Sequence, residues 1–201
     1  MEASAASKLL LNNPTIQTSK LLPALFDHID EERRLTVFHV GPALSDTVDF
    51  FANYRCRLHF VDLFSELPIV ASEDTPTLQH QFEELLSIPP GTELDICLFW
   101  DLFNFLDSKA IEAFLCVLRP HLTPDSLAHA FSVHNVSTPQ CNHLYGISQF
   151  DTIRLGKRVK ALPGYAPQSQ RQLKETLNCF RFERSVLLPD SRLELLMQAR
   201  L

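Results

Sequence analysis

Long apolar runs are missing from this 201-residue chain. The longest, Leu94 to Leu106, is broken by Asp95, Asp101 and Asn104. It falls short of the roughly 20 clean apolar residues that a membrane-spanning helix needs. The start, Met1-Glu2-Ala3-Ser4, lacks a basic region, and Lys8 precedes only three leucines, so no secretory signal is expected. Five cysteines (Cys56, Cys97, Cys116, Cys141, Cys179) are odd in number and include no close pair. That pattern fits neither a disulfide framework nor a thiolate metal site, and it predicts a reducing, cytoplasmic setting. Basic residues are also in deficit: 18 Lys and Arg against 24 Asp and Glu give a formal charge of −6. Such a balance works against non-specific binding to a phosphate backbone, so nucleic acid is not an expected partner. One basic island, Arg154, Lys157, Arg158 and Lys160, is read as a solvated loop face, with contact to an anionic ligand as the alternative.

What remains describes a globular chain: 45% of residues are hydrophobic and 21% charged, at a length that suits one domain. Residues 1–18 are expected to be a flexible N-terminal segment, and residues 19–201 a single α/β domain. Over residues 19–30, Leu21, Leu22, Leu25, Phe26 and Ile29 fall at helical spacing, with Ser19 as the cap. Leu35 to Val40 is a β-prone run stopped by Gly41-Pro42. Ser45 and Asp46 cap a helix whose apolar face is Val48, Phe51 and Ala52, and Arg57 to Asp62 reads as the next strand, completing a βαβ unit. Thr75-Pro76 then opens a helix carrying Leu78, Phe82, Leu85 and Leu86. Leu94 to Trp100 is almost continuously apolar, as a central parallel strand covered on both faces should be. Ser108 starts a helix with Ile111, Phe114, Leu115 and Leu118 inward, and Leu127 to His134 is the following strand. Residues 135–168 form a long Pro- and Gly-rich connection without clear period. A short helix near Gln170 and an antiparallel hairpin, Phe180 to Leu188 with Arg192 to Arg200, end the chain.

Alternating strands and helices predict a doubly wound, mostly parallel sheet, and such sheets bind ligands beyond the C-terminal ends of their strands. The residues there are Gly41-Pro42-Ala43-Leu44-Ser45 after the first strand, Asp62 after the second and Asp101 after the central one. A crevice is therefore expected between the strand ends bearing Gly41 and Asp101. Asp62 lies 21 residues beyond Gly41, close to the roughly 20-residue separation of ribose-binding βαβ units.

In this order the residues resemble the class I S-adenosylmethionine-dependent methyltransferases, a Rossmann-like family whose first strand ends in an acid followed by Gly-x-Gly-x-Gly. Gly41 matches the first glycine, Ala43 and Ser45 take the next two places, and His39 stands at the acidic position. Asp62 matches the acid that accepts hydrogen bonds from the ribose hydroxyls. Leu94-Asp95-Ile96-Cys97-Leu98 resembles the family's strand opening with an acid, and Leu118-Arg119-Pro120 its Leu-Lys-Pro stop. A closing antiparallel hairpin is a further family feature, which counts against a nicotinamide-dependent oxidoreductase, as does the lack of a full Gly-x-Gly-x-x-Gly turn. The glycine motif is degenerate, and a missing third strand has only Leu67 to Ala71 as a candidate.

The resemblance implies S-adenosylmethionine as cofactor, held by His39, Gly41, Ala43, Ser45, Asp62 and Asp101, and methyl transfer to a small-molecule acceptor. Asn104 belongs to the substrate side. Asp101 and His134 are the catalytic candidates, each placed to orient a nucleophile or accept its proton. The residues also admit plainer roles: Gly41 as any tight turn, Asp101 as a helix cap, His134 as a bonded structural histidine. His121, His129, His134 and His143 have no recognised ligand spacing, so no metal is assigned. The alternative function is a non-catalytic methyltransferase-like module that binds a ligand or protein partner. Oligomeric state is not legible.

Overall fold

The computed structural model describes residues 14–27, 33–71 and 76–201. In chain order these form β1 (Thr15–Thr18), α1 (Leu22–Phe26), β2 (Leu35–Val40), α2 (Ser45–Phe51), β3 (Cys56–Val61), α3 (Leu78–Leu86), β4 (Leu94–Trp100) and α4 (Ser108–Leu118). There follow β5 (Leu122–Val133), β6 (His143–Gln149), β7 (Thr152–Lys157), α5 (Gln170–Thr176), β8 (Phe180–Leu187) and β9 (Arg192–Ala199). Six strands make one sheet in the order β3-β2-β4-β5-β9-β8. The first four run parallel, and β9 and β8 close the sheet antiparallel, as expected from the terminal hairpin.

Burial explains this order. From Ile96 to Trp100 every side chain of β4 is buried, so this strand needs cover on both faces and takes the interior of the sheet. α4 supplies part of that cover with Ile111, Phe114, Leu115 and Leu118, the stripe read from its sequence. Phe114 meets Phe82, Phe99 and Phe103 edge to face, with ring centroids 5.5–6.1 Å apart. Asp107 caps α4 by accepting from the Ala110 N–H at 2.8 Å. Among the described residues no helix is long and apolar enough to cross a membrane.

Several boundaries differ from the sequence expectation. Residues 67–71 form no strand, since Pro68 has no N–H to give a ladder, although Leu67 and Ile69 are buried. The sheet therefore has six strands. Residues 135–168 are not a plain connection: β6 and β7 pair as a hairpin, and β1 adds to β7, making a second, three-stranded antiparallel sheet. β1 thus brings residues before 19 into the fold. α1 covers less than residues 19–30, of which 28–30 lie outside the described residues, as does the Thr75 cap. Thr77 caps α3 instead, accepting from the His80 N–H at 3.3 Å, and Pro76 precedes the helix. α2 turns Thr47, Phe50 and Phe51 inward, while Val48 is 40% exposed.

A buried polar knot ties the N-terminal elements to the sheet. The Ser19 hydroxyl donates to Glu194 of β9 and accepts from the Leu22 N–H at 2.9 Å, although the N-cap position of α1 is Leu21 and not Ser19 as expected. Glu194 also accepts from the Lys20 N–H at 3.0 Å and lies 2.9 Å from Nε2 of the fully buried His129.

Candidate active site

The C-terminal ends of β2, β3 and β4 lie side by side because the strands are parallel and in register. Val40 sits opposite Val61, and His39 opposite both Phe60 and Leu98. Gly41 follows with φ +121°, a conformation that a Cβ would strain, and its N–H donates to the Val61 carbonyl at 2.8 Å. The turn brings Gly41 beside Asp62, as the spacing predicted.

Asp62 is half-buried, and its Oδ1 has no hydrogen-bond partner. Burial pushes its pKa up, against the opposing pull of Arg158 and of the N–H groups of Phe64 and Ser65. On the other side of β2, Trp100 ends β4 at φ +52°, a strained position for a tryptophan, and Asp101 follows it. Asp101 is 4% exposed with an unpartnered Oδ1. Burial raises its pKa to about 6, countered by the Tyr145 hydroxyl and the charges of Arg158 and Arg192.

His39 lies between them, 1% exposed, with its Nε2 accepting from Trp100 Nε1 at 3.1 Å. Burial lowers its pKa to about 3, outweighing backbone contacts at His39 and Gly41 that favour the charged form. The ring is neutral at physiological pH, with the proton on Nδ1, since Nε2 is the acceptor. An imidazole donor thus stands at the end of β2, where the sequence resemblance leads to the expectation of an acid.

The space above these strand ends is packed by the second sheet. Tyr145 of β6 stacks on Trp100 at 5.0 Å with the rings 4° from parallel. Gly146 rests on the start of α2, where a Cβ would come within 3.3 Å of Leu44 Cδ1. The Ile147 N–H donates to Thr47 Oγ1 at 3.1 Å, and Arg154 of β7 pairs with Asp46 at 2.9 Å. The larger cavities lie elsewhere. Two, of about 570 and 560 Å³, open at the N-terminal ends of the strands, by Thr36, Arg57 and Glu93 and by Leu35, Asp95 and Leu127, whereas a smaller one of about 350 Å³ is lined by Asp62 on the outer side of β3. Tyr145, Trp100 and His39 thus pack together at the strand ends between Gly41 and Asp101.

The fold gathers His39, Gly41, Asp62 and Asp101, but not every residue singled out from the sequence. Ala43 is exposed, and Ser45 is half-buried as the first residue of α2. Asn104 is buried, and its main chain bonds to Asp101 and Ala166. Asp101 does not cap a helix with its side chain. His134 is exposed beyond β5, with its N–H on the Ser191 carbonyl, apart from the other candidates. Tyr145 gave no sequence signal, whereas Arg158 stood in the basic island without its partners being evident. Among the described residues no cluster of three or more His, Cys, Asp or Glu side chains is arranged to hold a metal.

No family model and no curated protein matches the chain. Solved structures do. The PH0226 protein from Pyrococcus horikoshii OT3 is 11% identical, with 90% of this chain and 88% of that one aligned at a TM-score of 0.50. Burkholderia thailandensis 1,6-didemethyltoxoflavin-N1-methyltransferase, solved with its substrate and S-adenosylhomocysteine, is 13% identical over 90% of this chain and 77% of that one, at a TM-score of 0.49. The pyocyanin biosynthetic protein PhzM is 14% identical at a TM-score of 0.46, with 89% of this chain aligned; the chain spans 54% of its length. At these identities the likeness is one of fold alone. The likeness to PH0226 agrees with the sheet order and the closing hairpin, an α/β fold with a mostly parallel sheet ended by two antiparallel strands.

Proposed function

We propose that this chain binds S-adenosylmethionine at the ends of β2 and β3 and transfers its methyl group to a small-molecule acceptor. The observation that carries this is Asp62: a half-buried carboxylate with an unpartnered oxygen, beside the Gly41 turn on a fold of the methyltransferase type. Desolvating a carboxylate without a partner is costly, and the two hydroxyls of a ribose would satisfy it. The residues therefore fit the ribose end of the cofactor. At the amino-acid end they depart from the family, since His39 offers a neutral N–H donor in place of an acid. That group suits the cofactor's carboxylate and not its ammonium.

Bound S-adenosylmethionine supplies an already activated methyl donor, so the protein's part is to orient the acceptor and exclude water. Asp62 would hold the ribose, Gly41 would allow the main chain to approach, and Ala43 and Ser45 would line the turn with small side chains. Asp101, with its pKa raised to about 6, is suited to accept a proton from an acceptor that must lose one. Asn104 would act through the main chain at Asp101. The setting proposed is cytoplasmic, with residues 15–201 acting as one domain and a small molecule as partner.

A second reading, a non-catalytic module that keeps the fold, is favoured by the packing of His39, Trp100 and Tyr145 across the strand ends. Calorimetric titration with S-adenosylmethionine and S-adenosylhomocysteine separates the two. Saturable binding that Asp62→Ala weakens supports the cofactor reading; absence of binding at millimolar ligand by folded protein supports the module.

A further inference from the structure

The six-stranded sheet ends on two edges, β3 and β8, and they are built differently. β8 carries Arg181, Glu183 and Arg184 along an exposed stretch, and its pairing with β9 slips between Phe182 and Arg184. Charges and a bulge of this kind keep an edge from adding another strand. β3 has no such guard. It pairs with β2 over Cys56 to Val61 without a slip, it contains no proline, and Arg57 is its one Lys, Arg, Asp or Glu. Each of its residues stays at least partly exposed, Leu58, Phe60 and Val61 included, whereas β2 beside it is almost wholly buried.

The ladder to β2 fixes which main-chain groups of β3 face outward. The Arg55 carbonyl accepts from the Leu35 N–H at 2.9 Å, and the Val61 carbonyl from the Gly41 N–H at 2.8 Å. In a parallel pair a residue turns its N–H and its C=O to the same neighbour, and the direction alternates along the strand. Arg57, His59 and Val61 therefore bond to β2, and Leu58 and Phe60 turn both groups to the open edge. Among the described residues no hydrogen bond reaches the Leu58 or Phe60 main chain on that side. Space lies beside them: the cavity of about 350 Å³ is lined by residues 59–63 and by Leu85 and Leu86 at the end of α3. The edge also changes sign along its length. Arg34 and Arg57 stand exposed at its start, and Asp62 and Glu66 at its finish; the acids near the start, Glu93 and Asp95, lie by β4, on the far side of β2.

We propose that β3 is a pairing edge for a second copy of this chain, the two β3 strands running antiparallel across a twofold axis and joining two sheets into one. Charge selects this occupant and its direction. Antiparallel pairing sets the Arg34 and Arg57 end of each copy against the Asp62 and Glu66 end of the other, whereas a parallel copy would bring like ends together. Outward-facing residues must also meet outward-facing residues, so Leu58 of each copy exchanges both main-chain bonds with Phe60 of the other, and their apolar side chains lie opposite one another. A twofold pair uses up the edge, so assembly stops at the dimer. The cofactor reading uses neither Leu58 nor Phe60, and the two proposals stand or fall separately.

Sedimentation equilibrium of the whole chain, from micromolar to several hundred micromolar, tests this on wild type, Arg57→Glu, Arg57→Glu/Glu66→Arg and Leu58→Pro. Wild type should form a dimer and nothing larger, and amide exchange at Leu58 and Phe60 should slow as concentration rises. Arg57→Glu sets like charges together at both ends of the pair and should weaken the dimer at least about tenfold, most of which the added Glu66→Arg should restore. Leu58→Pro removes an outward N–H, spares the bonds to β2 and should abolish the dimer; if that variant does not fold, the charge variants and the amide readout decide. A wild type that stays monomeric throughout would overturn the proposal and leave the edge to a strand of another protein. A dimer that Arg57→Glu leaves intact, or in which the Leu58 and Phe60 amides exchange as in the monomer, would overturn it as well, because the copies would then meet through another face. Open-ended growth would overturn the twofold pairing, since β3 would then be adding to β8 of the next copy.

Discussion

Replacing His39 by glutamine should flatten the acid limb of the protein's stability. In the wild type the imidazole is buried against Trp100 with its pKa pushed from 6.5 to about 3. The unfolded chain therefore takes up a proton on His39 as pH falls below 6.5, while the folded protein resists until about pH 3. Folding stability from this group is complete above pH 6.5 and is lost progressively down to about 3, the sign expected of a histidine held neutral. At about 1.4 kcal/mol per pH unit, the loss is roughly 3 kcal/mol by about pH 4.5 and about 5 kcal/mol at the lower limit. Glutamine keeps an acceptor for Trp100 Nε1 but takes up no proton. Urea unfolding at pH values from 7.5 down to 4.5, run on wild type and His39→Gln, gives the difference directly. The gap between the two stability curves should close by roughly 3 kcal/mol across that range, whatever its value at neutral pH. Parallel curves would refute the buried, neutral His39 described above.

Two further effects follow from buried charges. Asp101 acts opposite to His39: its pKa is raised from 3.8 to about 6, so ionising it in the folded protein costs stability as pH rises through that window, by about 3 kcal/mol above pH 6. Asp101→Asn should therefore unfold at higher urea than wild type at pH 7.5, with the advantage gone near pH 4, and an equal advantage at both pH values would contradict the assignment. Glu194→Ala leaves His129 and the Ser19 hydroxyl without their buried acceptor and should cost about 3–5 kcal/mol in urea unfolding. A loss under 1 kcal/mol would show that the knot does not hold the N-terminal elements to the sheet.

The parallel sheet was legible because its central strands, β2 and β4, are buried on both faces and the helices between strands carry apolar stripes. Leu94–Trp100 and the Ile111, Phe114, Leu115, Leu118 stripe declare themselves without knowledge of their partners. The second sheet was not legible, for a physical reason. β1 has four residues and an exposed Ile16, and it gains stability only by pairing Thr15 with Leu155, far along the chain. Gly146 and Gly156 lower the strand signal of β6 and β7, although Gly146 is where β6 must approach α2 closely. At the site, Gly41 and Asp62 could be found because their spacing is local to one βαβ unit. Tyr145 and Arg158 reach the same place through long-range packing, which spacing does not encode. The positive φ of Trp100 likewise belongs to the packed fold, since a tryptophan has no intrinsic preference for it.

Asp62 is the residue on which the functional proposal turns, and titration calorimetry of S-adenosylhomocysteine into wild type and Asp62→Ala tests it most directly. Wild type should give saturable binding below millimolar concentration, and Asp62→Ala, with an unchanged unfolding midpoint, should lose roughly 1.5–3 kcal/mol, or one to two decades of affinity. Binding left intact by Asp62→Ala, or no binding by the folded wild-type chain, would contradict a ribose site at the end of β3.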